Sequence, residues 1–229
     1  MKILALGAHP DDIEIFMYGL ISIYKKQGDQ VYTMIATDGA RGGKSQGKSL
    51  SRLRSQEAIA ALKDLSKPIF LNIPDGKLGE DPEHKKIIKK QILKIMPDLI
   101  ITHHQNDYHS DHRSLSILTS SAISHYIPIL YCDTLMGINF DPNFYVDITD
   151  YFLFKKEAIL KHKSQNPQRF VDLFKLMNSY RAAQCNAPNG KYAEAYNFTP
   201  SFPFSDIRNI LPPSLKLRAF HVNERKGFL

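Results

Sequence analysis

Short apolar segments alternate with longer amphipathic ones along the first two thirds of the chain. Segments 2–7, 31–37, 68–73, 98–103 and 128–131 are apolar at most positions, which is typical of strands buried on both faces. Between them, the spacing of apolar residues predicts helices from about 12 to 27, over 50–65, over 82–96, and from near Asp111.

Strands that alternate with helices predict a parallel sheet covered on both faces, Rossmann-like in outline. The last third is mostly helical, over about 150–184, and an irregular tail rich in Pro, Phe and Asn follows from about residue 185. We find no repeat and no low-complexity linker. We therefore predict one α/β domain over residues 1–229, with a mostly parallel sheet and a helical C-terminal part.

The composition indicates in which compartment this domain is expected and which partners it is expected to lack. The two cysteines, Cys132 and Cys185, form no paired pattern, and no signal peptide or long apolar span is evident. We expect a cytoplasmic protein with no membrane span. The net charge of +7 would suit a protein that binds nucleic acid. However, many of the excess positive charges are lysines that recur at helical spacing over residues 85–94. A solvated helix face explains it, so no nucleic-acid partner is expected.

Two adjacent carboxylates follow the first predicted strand, where the chain reads Ala8-His9-Pro10-Asp11-Asp12. Open α/β sheets bind ligands at this end of their strands. Asp11 or Asp12 could simply cap the following helix. However, two carboxylates beside an imidazole at the end of a buried strand are costly without a counter-charge, and a divalent cation would supply one.

A second polar cluster follows the fourth predicted strand. Four of the nine histidines fall within residues 103–112. The first and fourth strands of a doubly wound sheet are commonly neighbours, so both clusters can open into one crevice. An ordinary polar loop is the alternative, but this concentration of imidazoles favours a metal site. His9, Asp12 and His112 provide the three ligands that a catalytic zinc needs, and another divalent ion remains open.

Three polar residues are then left beside the predicted metal, and amide hydrolysis has a role for each. Asp11 can accept a proton from the attacking water. His109 can stabilise the oxyanion and protonate the leaving amine. Asp111 would fix the tautomer of the His109 ring from behind.

These segments resemble the signatures of the PIG-L/LmbE-like N-acetylglucosaminyl deacetylases, and the resemblance covers nearly the whole chain. The first signature is similar to residues 8–12 and the second to residues 109–112. Further similar segments are 37–39, 54–58, 73–76, 162–165 and 192–196. Their order along the chain makes the match specific.

The resemblance implies an LmbE-like fold and the same zinc ligands and catalytic residues. It adds Arg54 and Asp75 as contacts to the sugar hydroxyls and Tyr192 as a pocket wall. The residues themselves leave alternatives open, because Arg54 could pair with Glu57 one helical turn away and Tyr192 could belong to the core.

The expected function is therefore zinc-dependent removal of acetate from an N-acetylglucosamine-type sugar or a small-molecule conjugate of it. One alternative is an amidase of the same fold that cleaves a larger sugar–thiol conjugate. The other is a non-catalytic Rossmann-like module that binds a nucleotide or sugar, although no G-x-G-x-x-G follows the first strand. A homo-oligomer is compatible with the sequence.

Overall fold

A seven-stranded mixed sheet forms the centre of the protein. The computed structural model describes residues 1–43, 47–123, 126–213 and 215. The strands are β1 Lys2–Gly7, β2 Gln30–Thr37, β3 Ile69–Ile73, β4 Leu99–Thr102, β5 Ile129–Cys132, β6 Phe144–Asp147 and β7 Ala193–Asn197. Their order is β3-β2-β1-β4-β5-β7-β6, and the first five run parallel. The predicted Rossmann-like, mostly parallel sheet is confirmed.

Helices cover both faces of the sheet. They are α1 Asp12–Phe16, α2 Tyr18–Lys26, α3 Lys48–Ala61, α4 Pro82–Ile95, α5 Ser110–Ile123, α6 Phe152–Ile159 and α7 Pro167–Gln184. Residues of β1 alternate between the two cores: Ile3 and Ala5 pack with residues of α1, α2, α3, α6 and α7, whereas Leu4 and Leu6 pack with residues of α4 and α5. Burial on both faces explains why the strands are continuously apolar.

The prediction of an irregular tail from about residue 185 is wrong in one respect, because β7 lies within it. This strand pairs antiparallel with both β5 and β6, and neither β6 nor β7 was expected. Residues 193–196 are all buried, the charged Glu194 included, so burial does not alternate along the strand. Ala193, Glu194 and Ala195 are also residue types of low strand propensity.

The helix expected from 12 to about 27 is two helices, because the chain leaves helical geometry at Met17 (φ −131°, ψ −5°). The carboxylate of Glu194 accepts hydrogen bonds from the backbone N–H groups of Gly19 (2.9 Å) and Leu20 (2.8 Å). A negative charge at the N-terminus of α2 stabilises that helix as a separate element. The residue responsible is 175 positions from Gly19, which places it beyond the reach of a local pattern.

The parallel strands end at one edge of the sheet, and the two predicted polar clusters lie there. Leu6 of β1 is opposite Thr102 of β4, so the residues that follow each strand emerge side by side. The predicted proximity of the first and fourth strands is confirmed. Among the helices that the structure describes, none is long and apolar enough to span a bilayer.

Candidate metal centre

Three donor atoms from the two clusters form an almost regular triangle. His9 Nδ1 is 3.3 Å from His112 Nε2, and each of these nitrogens is 3.3 Å from Asp12 Oδ2. The three side chains are buried. Zinc holds His and Asp donors at about 2.0–2.2 Å, which puts donors of a tetrahedral site about 3.3–3.5 Å apart. The donor set therefore fits a divalent cation of this size.

The tight turn after β1 makes this triangle. The carbonyl of His9 accepts hydrogen bonds from the N–H groups of Asp11 (3.0 Å) and Asp12 (3.3 Å), and the His9 N–H donates to Asp12 Oδ2 at 2.6 Å. Asp11 adopts φ 153°, a region that residues other than glycine rarely occupy. Such backbone costs of order 1–3 kcal/mol and persists only where surrounding contacts impose it. The turn directs Asp12 and Asp11 into the same crevice.

Asp107 orients one of the candidate ligands, a role that no pattern in the sequence predicts. Its Oδ1 lies 3.2 Å from His112 Nδ1, and the side chain is buried. This contact directs His112 Nε2 towards the triangle, as carboxylates behind metal-bound histidines do. Burial alone would lower the pKa of His112, but Asp12 and Asp107 outweigh it and raise that pKa to about 9. The signal in the sequence was a carboxylate within the histidine-rich segment.

Asp111 holds His9 rather than His109, which corrects the predicted role. Its Oδ2 lies 3.2 Å from His9 Nε2, and its carboxylate accepts the backbone N–H groups of Gly76 (2.8 Å) and Leu78 (3.3 Å). These amides of the turn after β3 hold the carboxylate beside the His9 ring. His109 Nδ1 instead accepts the backbone N–H of Asp111 at 3.2 Å, so Nε2 carries the hydrogen of the neutral ring.

Asp75 approaches the same nitrogen of His9 from the turn after β3. Its Oδ1 is 3.4 Å from His9 Nε2, and its Oδ2 accepts the backbone N–H of Arg41 at 2.9 Å. Burial favours the neutral acid, yet these hydrogen bonds dominate and hold the pKa of Asp75 at about 2. Asp75 also lines the cavity described below, so its predicted contact with substrate stays a prediction.

Arg54 pairs with Asp11, not with Glu57. Its Nη2 lies 3.0 Å from Asp11 Oδ1, and Nη1 donates to the carbonyl of Gly39 at 3.1 Å. The carboxylate of Glu57 is engaged elsewhere, by the N–H (2.9 Å) and hydroxyl (2.6 Å) of Ser164. Burial raises the pKa of Asp11 although Arg54 opposes that shift. Asp11 is therefore a stronger base than an exposed carboxylate, held in a fixed direction.

A buried pair of titratable groups, Glu14 and His162, lies close enough to Asp11 for the charge of Asp11 to act on the imidazole. His162 Nε2 lies 2.9 Å from Glu14 Oε1, and both residues are nearly inaccessible. Burial lowers the pKa of His162, but Glu14 and Asp11 reverse the shift and raise it. In the sequence, segment 162–165 is similar to a family signature, which by itself assigns no role to this pair.

A cavity of about 230 Å³ opens above the triangle. Its polar lining comprises His9, Asp11, Asp12, Arg41, Arg54, Asp75, Tyr108, His109, His112 and Gln165, and its apolar wall comprises Ile15, Phe16, Leu135 and Phe170. All predicted ligands and Asp11, His109, Arg54 and Asp75 reach this cavity. Asp111 lies behind His9.

The predicted place of Tyr192 in the pocket wall is wrong. Its ring stacks on Phe152 with centroids 3.8 Å apart and planes inclined by 7°, and it packs against the core. The backbone N–H of Tyr192 bonds to Thr149 Oγ1 at 3.2 Å. The antiparallel β7, which begins one residue later, directs the ring towards α6 rather than the strand ends.

Comparisons with known proteins agree on one family and one fold. The family model of the GlcNAc-PI de-N-acetylases (PIG-L) matches residues 4–123. The diacetylchitobiose deacetylase of Thermococcus kodakarensis is 28% identical over 90% of this chain and 88% of its own length. The N,N'-diacetylchitobiose deacetylase of Pyrococcus horikoshii has a similar structure, with a TM-score of 0.76 and 24% identity over 87% of this chain and 84% of that one.

The same fold also carries other chemistry. GalB, the 4-carboxy-2-hydroxymuconate hydratase of Pseudomonas putida, superimposes with a TM-score of 0.77 and 19% identity over 90% of this chain and 99% of its own. At these identities, the structural likeness describes the fold alone. The reaction must be argued from the site.

Proposed function

The chain belongs to the PIG-L family of GlcNAc-PI de-N-acetylases, and from that premise we propose that it hydrolyses the acetamide of an N-acetylglucosamine-type sugar or its conjugate. The protein is a deacetylase, a hydrolase of amide bonds, like its relative that acts on diacetylchitobiose. One observation carries the proposal: the triangle of His9, Asp12 and His112 faces a cavity into which a buried carboxylate, that of Asp11, also points.

We propose zinc as the ion held by this triangle, since two imidazoles and one carboxylate are a donor set that zinc commonly takes. Another divalent ion of similar size would fit the same distances, and availability decides between them. When bound, the cation polarises the amide carbonyl and lowers the pKa of water. The side chains around it bind the substrate and transfer the protons.

Asp11 takes the proton from the water that attacks the acetamide carbon. Arg54 holds the Asp11 carboxylate in place at 3.0 Å, and burial raises the pKa of that carboxyl, which favours proton uptake. His109 presents Nε2 to the cavity because Nδ1 is occupied by the Asp111 N–H. From there the Nε2–H group donates a hydrogen bond to the carbonyl oxygen as negative charge develops on it. Asp11 passes the proton that it took from water to the leaving nitrogen, so that acetate and the amine result.

The substrate is proposed to be an amino sugar because the polar groups of the cavity suit hydroxyls. Arg41, Asp75 and Gln165 line it beside the metal ligands, while Phe16 and Phe170 supply apolar walls. Apolar walls combined with polar groups that fix the orientation of the ligand are typical of small-molecule sites. We further propose a cytoplasmic location, since Cys132 and Cys185 are both unpaired.

The test is acetate release from N-acetylhexosamine conjugates by metal-loaded protein. Asp11→Asn should keep the metal and lose about 10²–10⁴-fold in kcat, because only the proton acceptor is removed. His112→Ala should lose both metal and turnover. Asp172→Asn, which changes an exposed carboxylate of α7, is the matched control. If metal-loaded protein releases no acetate from any such conjugate, the proposed substrate class is wrong.

A further inference from the structure

A series of hydrogen bonds connects helix α3 with the catalytic cavity. It begins at the buried carboxylate of Glu57, whose Oε1 accepts the backbone N–H of Ser164 at 2.9 Å. The hydroxyl of Ser164 donates to Glu57 Oε2 at 2.6 Å, and its oxygen accepts a hydrogen bond from Gln165 Nε2 at 3.0 Å. Gln165 lines the cavity, whereas Glu57 and Ser164 do not. The carboxylate of Glu57 therefore acts on the cavity wall through two hydrogen bonds in series.

The carboxylate fixes the direction of both hydrogen bonds. A carboxylate only accepts, so the single hydrogen of the Ser164 hydroxyl is used by Glu57. The hydroxyl oxygen then has only lone pairs left and must accept from its other neighbour. The amide of Gln165 therefore turns its NH₂ group to Ser164, because the reversed orientation would place two acceptors face to face.

The oxygen of the same amide is left for the cavity. Gln165 is half-buried, and its Oε1 makes no hydrogen bond with the residues that the structure describes. This oxygen lies beside Gly42, which also lines the cavity: a Cβ placed on Gly42 would be 3.2 Å from it. Because position 42 carries no side chain, Oε1 stays accessible from the cavity.

An amide held in one orientation selects the group that it binds. A glutamine that turns freely offers a ligand either a donor or an acceptor, whereas Gln165 offers the acceptor alone. Its partner is therefore a hydrogen-bond donor, and the hydroxyl groups of an amino sugar are such donors. Since the orientation is set before the ligand enters, binding does not have to restrict this side chain first.

We propose that Glu57 is a positioning residue of the deacetylase, which acts through Ser164 to hold the amide of Gln165 so that Oε1 accepts a hydrogen bond from a hydroxyl of the substrate. The inference rests on the proposed function and deepens it, since it names a residue outside the cavity that controls how the sugar is bound. The hydroxyl takes no part in the reaction, so this hydrogen bond is equally strong in the ground state and the transition state. Its loss should therefore raise KM and leave kcat unchanged.

The test measures kcat and KM of the metal-loaded full chain with methyl N-acetyl-β-D-glucosaminide. Glu57→Gln keeps the size of the side chain but gives position 57 a donor, which reverses the series and turns the NH₂ group of Gln165 to the cavity. We expect KM to rise about tenfold, with kcat within about twofold of the parent value. Ser164→Ala interrupts the series and should raise KM about threefold. Gln56→Ala, at an exposed position of the same helix, is the matched control and should change neither constant.

A double-mutant cycle separates positioning from a merely structural role. Gln165→Ala alone should also raise KM, and adding Glu57→Gln to it should have no further effect, because the group through which Glu57 acts is gone. Losses that add in the double variant overturn the proposal, as does a Glu57→Gln variant with the parent KM or with a loss confined to kcat. If Glu57→Gln does not fold, Ser164→Ala takes its place in the same cycle.

The 3-, 4- and 6-deoxyfluoro analogues of the probe provide a second measurement on the unaltered chain. Fluorine cannot donate a hydrogen bond, so one analogue should have a KM about tenfold above that of the probe with the parent, and about the same KM as the probe with Gln165→Ala. If no analogue distinguishes the two proteins, Gln165 accepts no substrate hydroxyl and the proposal fails. Failure of the metal-loaded parent to release acetate from any N-acetylhexosamine conjugate would refute the deacetylase function instead, which keeps the two failures distinct.

Discussion

Replacing Asp107 tests whether the carboxylate behind His112 supports metal binding. Asp107 Oδ1 lies 3.2 Å from His112 Nδ1 and also accepts the backbone N–H of His109 at 2.9 Å. Loss of such a carboxylate typically weakens metal affinity by about 10–100-fold, or roughly 1.4–2.7 kcal/mol. Asp107→Asn keeps a neutral acceptor, so we expect about tenfold. Asp107→Ala removes the acceptor as well and leaves the His109 N–H unpaired, so we expect about 100-fold.

The assay is competition for zinc between the protein and a fluorescent chelator at fixed pH. Asp172→Asn is the control, because its exposed carboxylate accepts a hydrogen bond from Gln168 Nε2 at 2.8 Å and does not line the catalytic cavity. The two Asp107 variants must also bind in the expected order, with alanine weaker than asparagine. If both variants retain the parent affinity within about twofold, His112 is not positioned through Asp107 and the reasoning fails.

Two further predictions concern buried pairs. Glu194→Gln removes the counter-charge of Lys155, whose Nζ lies 2.7 Å from Glu194 Oε1 with both side chains buried. Urea unfolding should show that the free energy of unfolding falls by about 3–5 kcal/mol, and adding Lys155→Met should restore part of it. A loss below about 1 kcal/mol, or one that the second substitution does not reduce, would contradict this account. His162→Gln should lower the free energy of unfolding more at about pH 6 than at about pH 9. The pKa of His162 is raised in the folded protein. The protonated pair with Glu14 therefore stabilises the fold fully below the ordinary pKa of histidine, and this stabilisation is lost as the pH rises through the folded pKa. An equal cost at both pH values, measured by thermal unfolding with pH-matched parent protein, would refute this assignment.

The sequence was sufficient for the five parallel strands of the sheet and for the proximity of the two polar clusters. Apolar runs such as 2–7 are visible locally, and parallel strands end at a common edge, so His9 and His112 could be brought together without coordinates. Their roles as metal ligands stay a prediction. The sequence did not predict β6 and β7, because they pair with each other across about 50 positions of the chain and because four of the five residues of β7 have low strand propensity.

Side-chain direction was the part of the site that the sequence could not supply. Asp111 lies two residues from His109, and a carboxylate behind the His109 ring was the predicted role of Asp111. In the structure its carboxylate accepts the amides of Gly76 and Leu78 and lies beside His9. Arg54 is likewise three residues from Glu57 but contacts Asp11, 43 positions away. Sequence distance predicts contacts within one helix, whereas these contacts are set by how loops meet at the edge of the sheet.

The charges of the site explain why a cation is the ligand that these residues suit. Five carboxylates lie within the centre, each at most 8% exposed: Asp11, Asp12, Asp75, Asp107 and Asp111. Among the described residues, Arg54 is the only arginine or lysine whose charged side chain pairs with any of them. Burial disfavours the charged histidines, yet Asp12 and the neighbouring carboxylates still raise the pKa of His9 well above its usual value and that of His112 to about 9. The two imidazoles thus take up protons where positive charge is lacking, and a dication bound at the triangle would replace those protons and release them to solvent.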